Sequence, residues 1–175
     1  MEKERGFKRY CCDDVIEEML SPELEKSGYS GINNISRWMG QPYDERYKKS
    51  SQEYLELEAE ALKNILQEIE QSAKDEDITV DTTGSVVYLS LDILDALKTQ
   101  TKLVYLETPK SVAEEMIARY FDDPKPVIWG NVFKPLKNEA GIQTLKRCYP
   151  ELLKYRVRLY EKLADNQKPR CRASR

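Results

Sequence analysis

Histidine does not occur in the 175-residue chain, which removes Ser/His/Asp and Cys/His triads and most zinc sites at one stroke. Acid–base chemistry is left to carboxylates, lysines and tyrosines. The cysteines are Cys11, Cys12, Cys148 and Cys171, with no Cys-x-x-Cys spacing. An adjacent pair is a poor disulfide or zinc framework, so reduced, intracellular thiols that fill the core are expected. No apolar run approaches the ~20 residues of a membrane span, and the charged start MEKERGFKRY lacks the apolar centre of a signal peptide. A soluble, cytoplasmic protein is the expectation. Glycine is scarce as well: none of the seven is followed by lysine, so the Gly-x-x-x-x-Gly-Lys-Ser/Thr phosphate cradle is missing from the sequence. Blocks of one charge are also lacking. The 28 basic and 31 acidic residues are interspersed at a net charge of −3, which argues against nucleic acid and membrane surfaces and for small-molecule or protein partners.

What is present suffices for a core. The chain is 40% apolar and 9% aromatic, with 11 tyrosines, and its length suits one domain. That domain is expected over residues 1–165, followed by a disordered basic tail at 166–175. Residues 7–11 read as a short strand, and Asp13 and Asp14 supply the start of a helix over 14–20. Residues 21–29 hold Pro and Gly and predict a loop. Ile32, Ile35, Trp38 and Met39 fall at helical spacing, with Gly40 as a stop. A long helix is expected over 43–74, its stripe running through Tyr47, Tyr54, Ala61, Leu62, Ile65 and Ile69, with Ser50-Ser51 marking a bend.

The stretch ITVDTTGSVVYL at 78–89 runs β-branched residues into a small polar turn, the pattern of a buried strand ending in a functional loop. A helix over 91–98 and an apolar strand over 102–107 follow, then a helix opened by Pro109 with Ser111 and Glu114 as a capping box. Residues 122–140, with three prolines, one glycine and two aromatics, read as a long mobile loop or lid. A helix over 142–164, interrupted at Tyr149-Pro150, closes the pattern. Strands alternating with helices imply βαβ units and a mainly parallel sheet.

This order, ending in Arg156-x-x-x-Tyr160-x-x-x-Ala164-Asp165, resembles the shikimate kinase family of P-loop small-molecule kinases over residues 7–165. Tyr10-Cys11-Cys12-Asp13 resembles the family's Phe/Tyr-Asp-x-Asp, which places Asp13 as the substrate-binding and catalytic aspartate, with Cys11 at the first. Tyr54-Leu55-Glu56-Leu57-Glu58 resembles Phe-Arg-x-x-Glu, keeping Glu58 and setting Leu55 where a carboxylate-binding arginine stands. Thr82-Thr83-Gly84 resembles the triple-glycine substrate loop, with Gly84 kept. Lys125-Pro126-Val127 resembles the lid's Arg-Pro-Leu, with Lys125 in place of the catalytic arginine. Arg156 matches the second carboxylate-binding arginine.

The resemblance implies an α/β fold: a three-layer, P-loop-kinase-like parallel sheet flanked by helices, with a lid near 122–140 and the first strand, P-loop and first helix missing. It implies ATP and Mg²⁺ as cofactors, Arg119 packing on adenine and Asp81 holding the metal. The expected function is ATP-dependent phosphoryl transfer to a small hydroxylated metabolite, inactive or incomplete in this form because the phosphate-binding loop is absent. Such a chain is either an N-terminally truncated kinase or a degenerate relative. The alternative is a non-catalytic binding protein with a partner at its exposed sheet edge. Each residue also has a plainer reading: Asp13 as helix cap, Asp81 as turn former, Gly84 as a positive-φ position, Arg119 as partner of a helix dipole and Lys125 as a solvated loop lysine.

Overall fold

Four residues spaced one helical turn apart, Cys12, Ile16, Leu20 and Leu24, are all buried on one face of a helix that begins where the first strand stops. The computed structural model describes residues 6–28, 32–72, 76–123 and 125–169. In chain order these form β1 (Lys8–Cys11), α1 (Cys12–Lys26), α2 (Ile32–Met39), α3 (Tyr47–Gln71), β2 (Ile78–Asp81), a 3-10 turn (Val86–Tyr88), α4 (Leu91–Gln100), β3 (Val104–Glu107), α5 (Lys110–Asp122), α6 (Gly141–Leu163) and β4 (Asn166–Pro169). The chain divides into two compact units, the first made of Met1–Gln100 with Pro126–Ile128 and the second of Thr101–Lys125 with Trp129–Arg175.

In the first unit β1 and β2 pair in parallel, from Lys8 opposite Ile78 to Cys11 opposite Asp81. A parallel pair needs a long crossover, and α1, α2 and α3 provide it. Ile16, Leu20 and Leu24 of α1 pack with Ile35 and Met39 of α2, Tyr54 and Ala61 of α3, and Ile128. Val127 joins this unit through its carbonyl, which accepts the Tyr47 hydroxyl at 2.9 Å. The second unit repeats the device: β3 and β4 are parallel, from Val104 opposite Asn166 to Glu107 opposite Pro169, with α5 and α6 between them in sequence. Its interior is aromatic. Tyr120 stacks on Tyr149 with ring centroids 4.1 Å apart, and Trp129 packs edge-on to Tyr120 and Phe133.

The three-layer sheet implied by the resemblance is overturned. β3 takes β4 as its partner, not β1 or β2, so the described strands make two separate two-stranded sheets within a mainly helical chain. A strand inside a three-layer sheet is covered on both faces, yet Val104 and Leu106 remain 45% and 55% exposed. Parallel pairing is the part of the expectation that holds.

Local expectations are corrected for identifiable reasons. The loop predicted from Ser21 is helix as far as Lys26, with Pro22 inside it. An interior proline costs about 3 kcal/mol, and burying Leu20 and Leu24 at about 1.5–3 kcal/mol each offsets that. α3 is unbroken at Ser50, whose hydroxyl donates to the Met39 carbonyl at 2.6 Å and ties the end of α2 to the helix. Likewise α6 runs unbroken through Pro150. Asn166–Pro169, expected as disordered tail, is strand β4. Trp129, predicted to sit on a mobile lid, is 1% exposed. Lys74, Asp75 and Pro124 and the tail from Arg170 onward lie outside the described residues.

Candidate functional site at the β1–β2 edge

Parallel pairing brings the carboxyl ends of β1 and β2 side by side, at Cys11 and Asp81. Because α1 starts at Cys12, Asp13 and Asp14 occupy its first turn, next to the exposed backbone N–H groups of the helix start. The residue at the N-cap itself, Cys11, makes no side-chain capping hydrogen bond. The half-buried Asp13 accepts the Tyr54 hydroxyl at 3.5 Å. Burial, then the charge of Asp81, pushes the Asp13 carboxyl above its ordinary range, and the Tyr54 hydrogen bond pulls it back in part. Tyr54 is only 4% exposed. Its burial, followed by the charges of Asp13 and Glu58, raises its own pKa, so it stays a neutral donor.

Glu58 lies in the middle of the buried face of α3 and is 1% exposed. A carboxylate at such a place requires hydrogen bonds. Thr83 donates its hydroxyl to one carboxylate oxygen, and Ser85 donates to the other at 2.6 Å. The Ser85 backbone N–H donates to the Thr83 hydroxyl oxygen at 3.1 Å, which closes the turn on itself. Glu58 therefore anchors the 82–85 loop from beneath. Burial and then the nearby Glu58 push the Cys12 thiol up to about 12, so it stays protonated and unreactive.

Asp81 sits 2.8 Å from Arg9, with both side chains about half exposed at 59% and 45%. Such a pair contributes little stability, and the charge of Asp81 still acts on Asp13, whose pKa is raised. Gly84, the retained glycine, is not among the positive-φ glycines of the described chain, which are Gly6, Gly28, Gly40 and Gly130. The turn is shaped by the Thr83 and Ser85 hydroxyls instead.

The other expected site residues belong to the second unit. Arg119 pairs with Glu115 one turn earlier on α5 at 2.5 Å, well exposed. Lys125 lies 2.9 Å from Asp123. Arg156 lies on α6, and its charge acts on the buried Tyr149 to lower that phenol's pKa against the rise from burial. Asp13, Glu58, Asp81 and Gly84 thus share one unit, while Arg119, Lys125 and Arg156 share the other.

Ser85 is the residue that sequence reasoning leaves without a role, and Thr83 enters it only through the resemblance to the substrate loop. Their signal was available: hydroxyls two apart after a strand, and a lone glutamate on a helix stripe otherwise filled by Tyr54, Ala61, Leu62 and Ile65.

The residues present do not fit ATP and Mg²⁺. No glycine is followed by lysine anywhere in the sequence, Asp81 is engaged by Arg9, and no group of three or more metal-ligating side chains occurs among the described residues. No helix among them is long and apolar enough to cross a membrane. Comparison of the chain with protein-family models, with characterised proteins and with solved structures finds no match.

Proposed function

We propose that the β1–β2 edge binds a small hydroxylated metabolite, and that the chain is an acceptor-binding relative of shikimate kinase-like phosphotransferases. The observation that carries this reading is Asp13: a half-buried carboxylate at the end of β1, set on the first turn of α1 and hydrogen-bonded by Tyr54. A carboxylate held in this way accepts hydrogen bonds from a ligand hydroxyl and is poised to take its proton. The Thr83–Ser85 turn, fixed by Glu58, gives the neighbouring wall a defined shape. The sequence contains no Gly-Lys phosphate cradle. In this reading the chain contributes binding and orientation of the acceptor.

Isothermal titration with shikimate, related hydroxy acids and neutral polyols tests the proposal, each with and without ATP and Mg²⁺. At least one hydroxylated compound should bind, and Asp13→Asn should weaken it by about tenfold or more, the scale of losing one charge-assisted hydrogen bond. Equal affinity in the variant, or no binding across the panel, would sink the reading.

Exposed Val104 and Leu106 on β3 favour a second reading, a non-catalytic protein that takes a partner strand at a sheet edge. Replacing both by lysine would abolish such an association and leave metabolite binding untouched.

A further inference from the structure

The first unit carries a groove of about 840 Å³ between α1, α2 and α3, and none of the β1–β2 edge residues lines it. Met19, Trp38 and Leu57 form its floor, each half-buried against the apolar core on one side and open to the groove on the other. One wall is α3 itself, from Arg46 at its start to Glu60 four turns on. The basic groups at the near end are already engaged: Arg46 donates to the Arg37 carbonyl at 2.7 Å, and Lys49 lies 3.4 Å from Glu53. Glu56 and Glu60, exposed and one turn apart, dominate the far end. Glu56 is bonded only to the neutral Gln52 amide, at 3.1 Å, among the contacts of the described residues.

We infer that this groove docks a basic amphipathic helix of a partner protein. Three mutually packed helices offer a fourth a ridge-and-groove surface. The stretch from Arg46 to Glu60 covers about 21 Å at 1.5 Å per residue, the length of a helix of about 14 residues. An aliphatic or aromatic anchor of that helix rests on Trp38, Met19 and Leu57, and lysines or arginines at i and i+4 meet Glu56 and Glu60 at the same one-turn spacing. Charge complementarity selects this occupant. A nucleic acid or an anionic lipid surface would face the carboxylates of Glu56 and Glu60 and be repelled.

The test uses two fluorescently labelled synthetic helices of about 16 residues with the same leucine stripe, one carrying lysines at i and i+4 and the other glutamates there. Anisotropy titrations of the full chain should show the lysine peptide binding at least about tenfold more tightly than the glutamate peptide, with the margin shrinking as salt is raised. The double variant E56K/E60K changes exposed side chains only, and circular dichroism checks that it is folded. It should reverse the preference between the two peptides. Trp38→Ala should weaken the lysine peptide by about tenfold as well. Equal affinity for both peptides, binding unaffected by E56K/E60K, or no binding of either peptide at millimolar concentration would overturn the inference.

Discussion

The two units use one topology and two kinds of interior. Each places helices between two parallel strands, yet the first packs aliphatic stripes around a buried carboxylate, and the second packs rings. Trp129, Tyr120 and Tyr149 are 1%, 6% and 6% exposed, and their ring contacts tie α5, the 129–133 segment and α6 into one cluster. In the first unit the buried carboxylate is Glu58, and two hydroxyls from the 82–85 loop donate to it. The difference teaches where chemistry is affordable: the aliphatic unit holds its acidic edge and loop in place by hydrogen bonds, whereas in the aromatic unit the carboxylate of Glu139, 14% exposed, is tied off by Arg147.

The largest effect that can break this comparison comes from the aromatic cluster. Trp129→Ala should cost about 3–5 kcal/mol, the range for emptying a large buried aromatic site, read by denaturant unfolding. Hydrogen exchange should localise the loss to α5 and α6 before β1 and α1. Uniform acceleration across both units would show that the two interiors do not act separately.

A smaller and more selective effect is expected at Glu58. Glu58→Leu removes the carboxylate that accepts from both hydroxyls; Thr83 and Ser85, 3.1 Å apart, can then bond each other, which leaves one buried donor unsatisfied at about 1–3 kcal/mol. Glu58→Gln keeps one acceptor and should cost distinctly less. Ligand binding at Asp13 should weaken with the leucine variant because the loop loses its anchor. Equal stability of the two variants would show that the hydroxyls find other partners and that Glu58 is not the anchor.

Much of the first unit was legible in the sequence, and the reasons are local. The spacing of Ile35, Trp38 and Met39 announces α2, the Tyr54–Ile65 stripe announces α3, and the β-branched run before Asp81 announces β2. Pro22 and Pro150 misled because a helix end is judged from neighbours in sequence, while the residues that keep these helices going, Leu24 and Leu152, act through distant packing. The strand expected over 102–107 forms over 104–107, but its alternating Val104 and Leu106 give no sign that they remain exposed, since strand patterns report apolarity and not partner. Trp129 was read by its proline-rich surroundings, although a large aromatic among prolines is equally a plug. At the site, Asp13 and Asp81 could be found from strand ends, whereas the tie between Glu58 and Ser85 spans 27 positions and needs the fold.

The subtlest contrast is the opposite response of the two units to pH. In the first unit Asp13 has its pKa raised, chiefly by burial. Its folded form prefers the proton, so its favourable contribution is complete below the unfolded value of about 4 and is lost as pH rises through the folded value. Asp13→Asn should therefore raise the melting temperature at neutral pH, with the gain vanishing below about pH 4. In the second unit Arg147 grips Glu139 at 2.6 Å, aided by the Thr144 hydroxyl at 2.9 Å, and Glu139 falls from its ordinary 4.5 to about 2, with the Arg147 hydrogen bond the largest cause. A lowered carboxylate contributes stability above 4.5 that is lost as the pH falls toward about 2. Glu139→Gln should accordingly lower the melting temperature modestly at neutral pH, and the two proteins should converge in acid. Melting curves of both variants between neutral and acidic pH check the pair. If the Asp13 and Glu139 variants shift in the same direction at neutral pH, the acidic edge of the first unit is not strained by burial, and the contrast between a unit that stores charge at its site and one that ties charge off in an ion pair fails.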